Sequence, residues 1–135
     1  MQDKYIYEPD INYFKNIFKM FNYDDIDIDF LKEQLRNYTI QFRRIILNMN
    51  YTEPTEENGM PYISIKNYIC YEAARLLTVN FVSNSDLINF IRSESLRLKE
   101  LALKDVSSII IGENSYDSVK LNRNLYCYKL FKEII

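Results

Sequence analysis

The side chains that could do chemistry in this chain are carboxylates, tyrosines and two thiols, because the sequence contains no histidine. Without an imidazole there is no Ser-His-Asp or Cys-His pair and no histidine ligand for a metal. Neither a CxxC motif nor a glycine-rich phosphate loop of the usual spacing occurs. The sequence therefore predicts that the protein is not an enzyme, with no catalytic residue, no bound metal and no cofactor.

The acidic run Asp24–Asp29 alternates like the start of a calcium-binding loop. Such a loop needs a central glycine for its sharp turn and a bidentate glutamate at its twelfth position. The run has no glycine, and the twelfth residue counted from Asp25 is Arg36. Helix capping is the better interpretation, because Asp27 or Asp29 directly precedes a strong helical repeat, where the helix dipole also favours negative charge.

Three glutamates, Glu53, Glu56 and Glu57, lie in the polar segment "YTEPTEENG". Paired carboxylates can serve acid–base chemistry when an apolar environment raises the pKa of one of them. The segment offers no apolar wall of that kind, so it is predicted to be a solvated acidic loop. The same three glutamates are candidates for contacts with a neighbouring subunit.

The two cysteines of the chain are Cys70 and Cys127. They are too few and too far apart for a disulfide framework, and both lie in apolar helical surroundings. Free cysteine in such places behaves as a small hydrophobic residue. Both thiols are therefore predicted to be reduced and structural.

Length and charge limit the function classes further. A chain of 135 residues makes one domain with a real core. Residues 1–60 hold 7 basic and 11 acidic groups, whereas residues 61–135 hold 10 basic and 8 acidic groups. This distribution argues against a uniformly basic nucleic-acid clamp and predicts surfaces of opposite sign, which could meet within the fold or between copies. Candidate basic groups for such a contact are Arg92, Arg97 and Lys99.

The chain begins with the polar, acidic stretch "MQDKYIYEPD", and no apolar run reaches the ~18–20 residues of a membrane helix. Neither a signal peptide nor a membrane partner is expected. The sequence predicts synthesis and use in a cytosol, or in a particle assembled there.

Hydrophobic spacing predicts an all-α fold, a small bundle of four to five helices. Helices are predicted over residues 11–21, about 29–50, 61–82 and about 85–105. Asp10 is the expected N-cap of the first helix, and Ser83 with Asp86 resembles a capping arrangement for the fourth. The fifth helix would come from the C-terminal region.

Two of these helices carry distinct apolar patterns. The core stripe of helix 29–50 steps by four, three, four, three and four residues, as one buried face requires. Its members are Leu31, Leu35, Tyr38, Phe42, Ile45 and Met49. Helix 61–82 instead has apolar or aromatic groups around most of its circumference. Two explanations are open: burial against neighbouring subunits of a ring, or a monomeric bundle whose tyrosines point their rings inward and their hydroxyls to water.

The C-terminal region changes character. Residues 1–106 are predicted to form the helical bundle domain, and residues 107–135 an extended C-terminal arm. Residues 107–119 could form a short hairpin, and helical spacing then returns. Because its last residues are apolar, the arm is predicted to pack on another chain. Its candidate anchors are Tyr126, Tyr128, Leu130, Phe131, Ile134 and Ile135.

The order of these segments resembles the head–tail connector (adaptor) proteins of tailed bacteriophages. The resemblance covers about residues 11–106. It is carried by "FKNIFKMFNYDDIDIDFLKEQLRNYTIQF", "GMPYISIKNYICYEAARLL" and "INFIRSESLRLKELALKDV". In that family an acidic stretch precedes the long helix, a second helix combines small residues such as Ala73 and Ala74 with aromatics, and a third helix is basic and amphipathic.

The resemblance implies a structural virion protein at the head–tail interface. It implies a homo-oligomeric ring, commonly of twelve subunits, that docks beneath the portal protein, meets neighbouring tail proteins and extends the channel. Double-stranded DNA would pass through without sequence-specific binding. The alternative is a small helical regulatory binding module, such as a phage-encoded inhibitor or a DNA-associated factor. That alternative needs a basic recognition helix, and residues 85–105 come closest although Glu94, Glu100 and Asp105 dilute their charge.

Overall fold

The structure, a computed structural model, describes residues 7–81 and 85–109, with the side chains of 79–81 excepted. Within these ranges the chain is all-helical, as predicted, and contains no strand. The described residues form four α-helices: α1 (Ile11–Ile17), α2 (Ile28–Asn48), α3 (Met60–Phe81) and α4 (Ser85–Ser107). Short 3-10 turns at Tyr23–Asp25 and Glu56–Asn58 precede α2 and α3. The expected fifth helix, the hairpin at 107–119 and the arm anchors lie almost wholly outside the described residues.

Helix α2 confirms the prediction of a long, acid-capped helix. Asp27 is its N-cap, and its carboxylate accepts hydrogen bonds from the backbone N–H groups of Asp29 (3.0 Å) and Phe30 (3.2 Å). The buried stripe differs slightly from the predicted one, because it includes Thr39 and Ile46 while Tyr38, Ile45 and Met49 lie at its edges. Thr39 tolerates burial because its hydroxyl donates to the carbonyl of Leu35 at 2.7 Å. The fully buried positions of α2 are Leu31, Leu35, Thr39, Phe42 and Ile46.

Helix α1 is shorter than the predicted helix 11–21. It starts at the Asp10 cap as expected, with the Asp10 carboxylate accepting from the Tyr13 N–H at 2.8 Å. The backbone leaves helical geometry at Phe18, and the Phe21 ring stacks on the Phe18 ring at a centroid distance of 5.2 Å. The Tyr23 hydroxyl donates to the Phe18 carbonyl at 2.6 Å, which satisfies a group that the ending helix leaves free. Aromatic packing therefore ends the helix one turn early.

Helix α3 runs antiparallel to α4. The Ser95 hydroxyl donates to Glu72 at 2.6 Å, and the Ser64 hydroxyl donates to Asp105 at 2.6 Å. An earlier residue of α3 thus pairs with a later residue of α4, as antiparallel helices require. Helix α2 is antiparallel to α3 as well: the rings of Phe42 and Tyr68 lie 5.5 Å apart. One turn after Tyr68 on α3, the charge of Glu72 helps to raise the pKa of Tyr38, which lies one turn before Phe42 on α2. The two helices therefore run in opposite directions.

Helix α1 runs parallel to α3 and covers another side of it. The Tyr13 hydroxyl donates to the Asn67 side chain at 2.6 Å, and the Phe18 and Tyr71 rings meet at 4.8 Å. Three helices of the same chain therefore surround α3. The apolar circumference of helix 61–82 is accounted for within one bundle, as in the monomeric explanation, and does not by itself require neighbouring subunits.

Helix α4 begins at Ser85, as predicted, and ends two residues later than expected. The proposed cap residue Ser83 lies outside the described residues. Cys70 is a buried free thiol, as predicted, and its burial raises its pKa, which keeps it protonated and unreactive. Within residues 7–81 and 85–109, no helix is both long and apolar enough to cross a lipid bilayer.

Candidate functional site

A cleft of about 350 Å³ opens between α3 and α4, and we call it the α3–α4 cleft. Residues of α3 line it from one side and residues of α4 from the other. Helix α1 contacts α3 through Asn67 and Tyr71, neither of which lines the cleft. The lining side chains are Tyr68, Glu72, Arg75, Arg92, Ser95, Leu96 and Lys99.

Glu72 is the carboxylate of the α3–α4 cleft. Arg75, three residues on and therefore on the same helix face, binds it with Nε at 2.9 Å and Nη2 at 3.2 Å. Ser95 of α4 donates its hydroxyl to the same carboxylate at 2.6 Å. These three hydrogen bonds hold a side chain that is only 14% exposed, so the acceptors of Glu72 are largely used within the chain.

Tyrosine rings lie behind this carboxylate. Tyr68 is buried against Phe42, and its burial raises its pKa, with the charge of Glu72 adding to the effect. Burial also raises the pKa of Tyr38 on α2, and Glu72 again contributes. Both phenols therefore stay protonated and neutral at physiological pH.

Arg92 and Lys99 carry the positive charge of the α3–α4 cleft that the described residues do not pair. Arg92 is exposed and Lys99 is half-buried. In the part of the chain that the structure describes, neither has an ion-pair partner. With Arg75 they set three cations against the single carboxylate of Glu72. This arrangement can hold an anionic group, and Leu96 adds an apolar rim that is 65% exposed.

The segment that precedes α3 forms a second charged feature, the acidic turn Thr55–Asn58. The Asn58 side chain accepts from the Thr55 N–H at 2.7 Å, which fixes the turn. Glu56 and Glu57 are exposed on it. Gly59 follows with φ of 71°, a conformation that glycine adopts at little cost, and redirects the chain into α3.

Glu53 is not the solvated loop carboxylate that the sequence predicted. It accepts from the Tyr7 hydroxyl at 2.8 Å and from Arg43 Nε at 2.9 Å, so it ties the loop to the N-terminal segment and to α2. Sequence reasoning could not detect this contact, because Tyr7 lies 46 positions away. A contact of Glu53 with a neighbouring subunit stays a prediction.

The three basic residues predicted for a subunit contact also differ in their surroundings. Arg92 and Lys99 share the α3–α4 cleft, whereas Arg97 lies outside its lining and pairs with Glu94 at 2.8 Å. Sequence reasoning missed Glu72 and Arg75 as a candidate site. Their spacing of three residues on one helix was the available signal.

The described residues do not support a metal site. No group of three or more His, Cys, Asp or Glu side chains among them is arranged to hold an ion. In the acidic run, Asp27 caps α2, and Asp25 accepts from the side chain of Asn22 at 3.0 Å. These carboxylates act on the backbone and on a neighbouring amide.

Comparison with protein-family models gave no match, and comparisons with curated proteins and with solved structures gave none either. The surfaces of the molecule itself, together with the pattern of its sequence, must therefore support any functional proposal.

Proposed function

We propose that the protein is a structural assembly subunit, and that it acts as a head–tail connector: a ring of copies beneath a phage portal that extends the DNA channel. The assignment as a head–tail connector rests on the resemblance in helix order and charge pattern. The assignment as an assembly subunit rests on one observation: three of the exposed apolar side chains lie in helix turns at the same end of the bundle.

Three of these side chains are Leu47, Met60 and Ile63, which are 51%, 61% and 42% exposed. They belong to the last turn of α2 and the first turn of α3. Because α2 and α3 are antiparallel, these turns lie at the same end of the bundle. Helix α4 also ends there, so the chain continues from this end towards residues 110–135. Three exposed apolar groups at one end of the bundle favour a contact with another protein there.

The mixed charge of α4 favours an assembly subunit over the alternative, a DNA-associated factor. Nucleic-acid-binding surfaces cluster Lys and Arg on one face or along a helix. On α4 the guanidinium of Arg97 is bound to Glu94, and Asp105 accepts from Ser64. A mixed surface of this kind fits a channel that lets DNA pass without gripping it.

Sizing of the full chain tests the proposal. Light scattering and native mass spectrometry should give one oligomer of defined copy number, alone or on co-expression with the products of neighbouring genes, and electron microscopy should show a ring. A protein that stays monomeric under all these conditions would not be an assembly subunit. A closed dimer would be consistent with an assembly subunit but would exclude a connector ring.

A DNA-binding measurement tests the alternative. Duplex DNA should bind the isolated protein more weakly than ~1 μM at ~0.15 M salt. Tighter, salt-sensitive binding would instead support a DNA-associated regulatory module.

A further inference from the structure

Two surfaces of the bundle carry charges that the described part of the chain does not neutralise. The α3–α4 cleft has Arg92 and Lys99, and the acidic turn has Glu56 and Glu57. No ion pair joins any of these four groups to another described residue. The other candidate charges, Glu53 and the pair Glu94–Arg97, already have partners within the chain.

Within one chain the acidic turn and the α3–α4 cleft are not paired, because no ion pair among the described residues joins Glu56 or Glu57 to Arg92 or Lys99. The turn lies directly before Met60, and Glu72 of the cleft lies ~18 Å further along α3 at about 1.5 Å per residue. The charges of both surfaces therefore remain available for a contact with a second copy.

Apolar exposure marks the same two surfaces. Leu96, at 65%, and Met60, at 61%, are the most exposed large apolar side chains of the described residues. Leu96 forms part of the cleft lining, and Met60 follows the acidic turn by two residues. Each surface thus combines charge with a protruding apolar group, which is the composition of an interface core and its rim.

The acidic turn has a fixed backbone, which favours its binding to another surface. The Thr55–Asn58 hydrogen bond fixes its backbone before any contact forms, so little conformational freedom is lost on binding. In the cleft, Arg75 and Ser95 already satisfy Glu72, so an incoming carboxylate meets Arg92 and Lys99 rather than an uncompensated negative charge.

We infer that the α3–α4 cleft of one copy receives the acidic turn of a second copy, with Glu56 and Glu57 facing Arg92 and Lys99. This inference rests on the proposed function and names the surfaces through which the subunits meet. Because the two patches differ, repetition of the contact gives a head-to-tail chain of subunits that closes into a ring when the rotation allows.

Charge reversal in the full chain tests the contact. The turn variant carries Glu56→Lys and Glu57→Lys, and the cleft variant carries Arg92→Glu and Lys99→Glu. Each should raise the dissociation constant of self-association by about tenfold or more, since like charges then face each other. The variant that combines all four changes should recover self-association to within about threefold of wild type. Analytical ultracentrifugation at ~0.15 M salt measures these constants, and circular dichroism verifies the fold.

Arg97→Glu is the matched control, because it reverses a basic residue of α4 that lies outside the cleft. It should leave self-association unchanged. If the wild type assembles and neither the turn nor the cleft variant differs from it, this interface is wrong while the proposed function stands. If the wild type does not self-associate under any condition tested, the proposed function itself is wrong, and the interface with it.

The acidic residues of the C-terminal arm are the competing occupant. Changing Glu113, Asp117 and Glu133 to Lys in the cleft variant should not restore self-association. Restoration by these changes, and not by reversal of the turn, would assign the cleft to the arm and overturn the inference.

Discussion

The two sides of α3 differ in what covers them. On the side that faces α1, a cluster of aromatic rings packs with centroid distances from 4.8 to 6.4 Å. The members of this aromatic cluster are Phe14, Phe18, Phe21, Tyr23 and Tyr71. On the side of the α3–α4 cleft, charged groups border an open space.

This difference bears on how aromatic side chains are used. The aromatic cluster holds five of them inside the bundle, where they contribute to packing within the chain. Among the described residues, the groups that remain for contact are charged side chains and a few exposed apolar residues, including Phe90, which is 54% exposed. Stability should therefore depend on the aromatic side of α3, and association on the cleft side.

Phe18→Ala should have the largest effect on stability. Phe18 is 1% exposed, and its ring meets those of Phe14, Phe21 and Tyr71. Its removal leaves a cavity at the centre of the aromatic cluster and should lower the free energy of unfolding by ~3–5 kcal/mol in urea denaturation. Met20→Ala is the control, since Met20 is exposed and should change stability by less than ~0.5 kcal/mol. A loss below ~1 kcal/mol for Phe18→Ala would mean that the cluster is not the core of this side.

Glu72→Ala should have an intermediate effect, because it leaves the buried Ser95 hydroxyl without its acceptor and Arg75 without its ion pair. The free energy of unfolding should fall by ~1–3 kcal/mol. Glu94→Ala removes the equivalent pair with Arg97 from a more exposed position that lacks the serine bond, and its denaturation midpoint should hardly move. Equal losses for the two variants would show that the cleft carboxylate has no special role.

Tyr23→Phe should have a smaller effect that depends on pH. Burial raises the pKa of Tyr23 to about 12, above the value near 10 of an unfolded tyrosine. Its protonated form therefore stabilises the fold fully below pH ~10, and this contribution is lost as the pH rises through about 12.

Replacing Tyr23 by phenylalanine removes the hydrogen bond to the Phe18 carbonyl and should cost ~0.5–1.5 kcal/mol near neutral pH. Urea denaturation between about pH 9 and pH 12 should then show a shallower loss of stability than in wild type. Parallel pH curves for the two proteins would contradict the assignment.

Leu96→Asn should have the smallest effect on stability and a clear effect on association. Leu96 is already solvated, so the free energy of unfolding should stay within ~0.5 kcal/mol of wild type. Self-association should weaken by about tenfold, because an exposed apolar side chain of the cleft lining is lost. A variant that unfolds more easily but associates normally would reverse the roles assigned to the two sides of α3.

The sequence alone was sufficient to predict the class of fold, the approximate bounds of α2, α3 and α4, the cap at Asp10, and a cap of α2 at Asp27 or Asp29, of which the structure uses Asp27. Each of these depends on neighbours within a few positions: apolar residues repeat every three or four positions, and a capping carboxylate bonds N–H groups two or three residues on. The core positions Leu35 and Phe42 followed from the same repeat, and both are buried.

Only the tertiary structure decided which side chains are used inside the chain and which are left for contact. Glu53 is bound by Tyr7 and Arg43, and Glu72 is bound by Ser95, through pairings of 46, 10 and 23 positions that no local pattern encodes. The early end of α1 depends on distant residues as well, because after it the Phe21 ring packs in the aromatic cluster that includes Tyr71 of α3. Local spacing determines where helices form, whereas the burial and charge balance of each side chain depend on which helices meet.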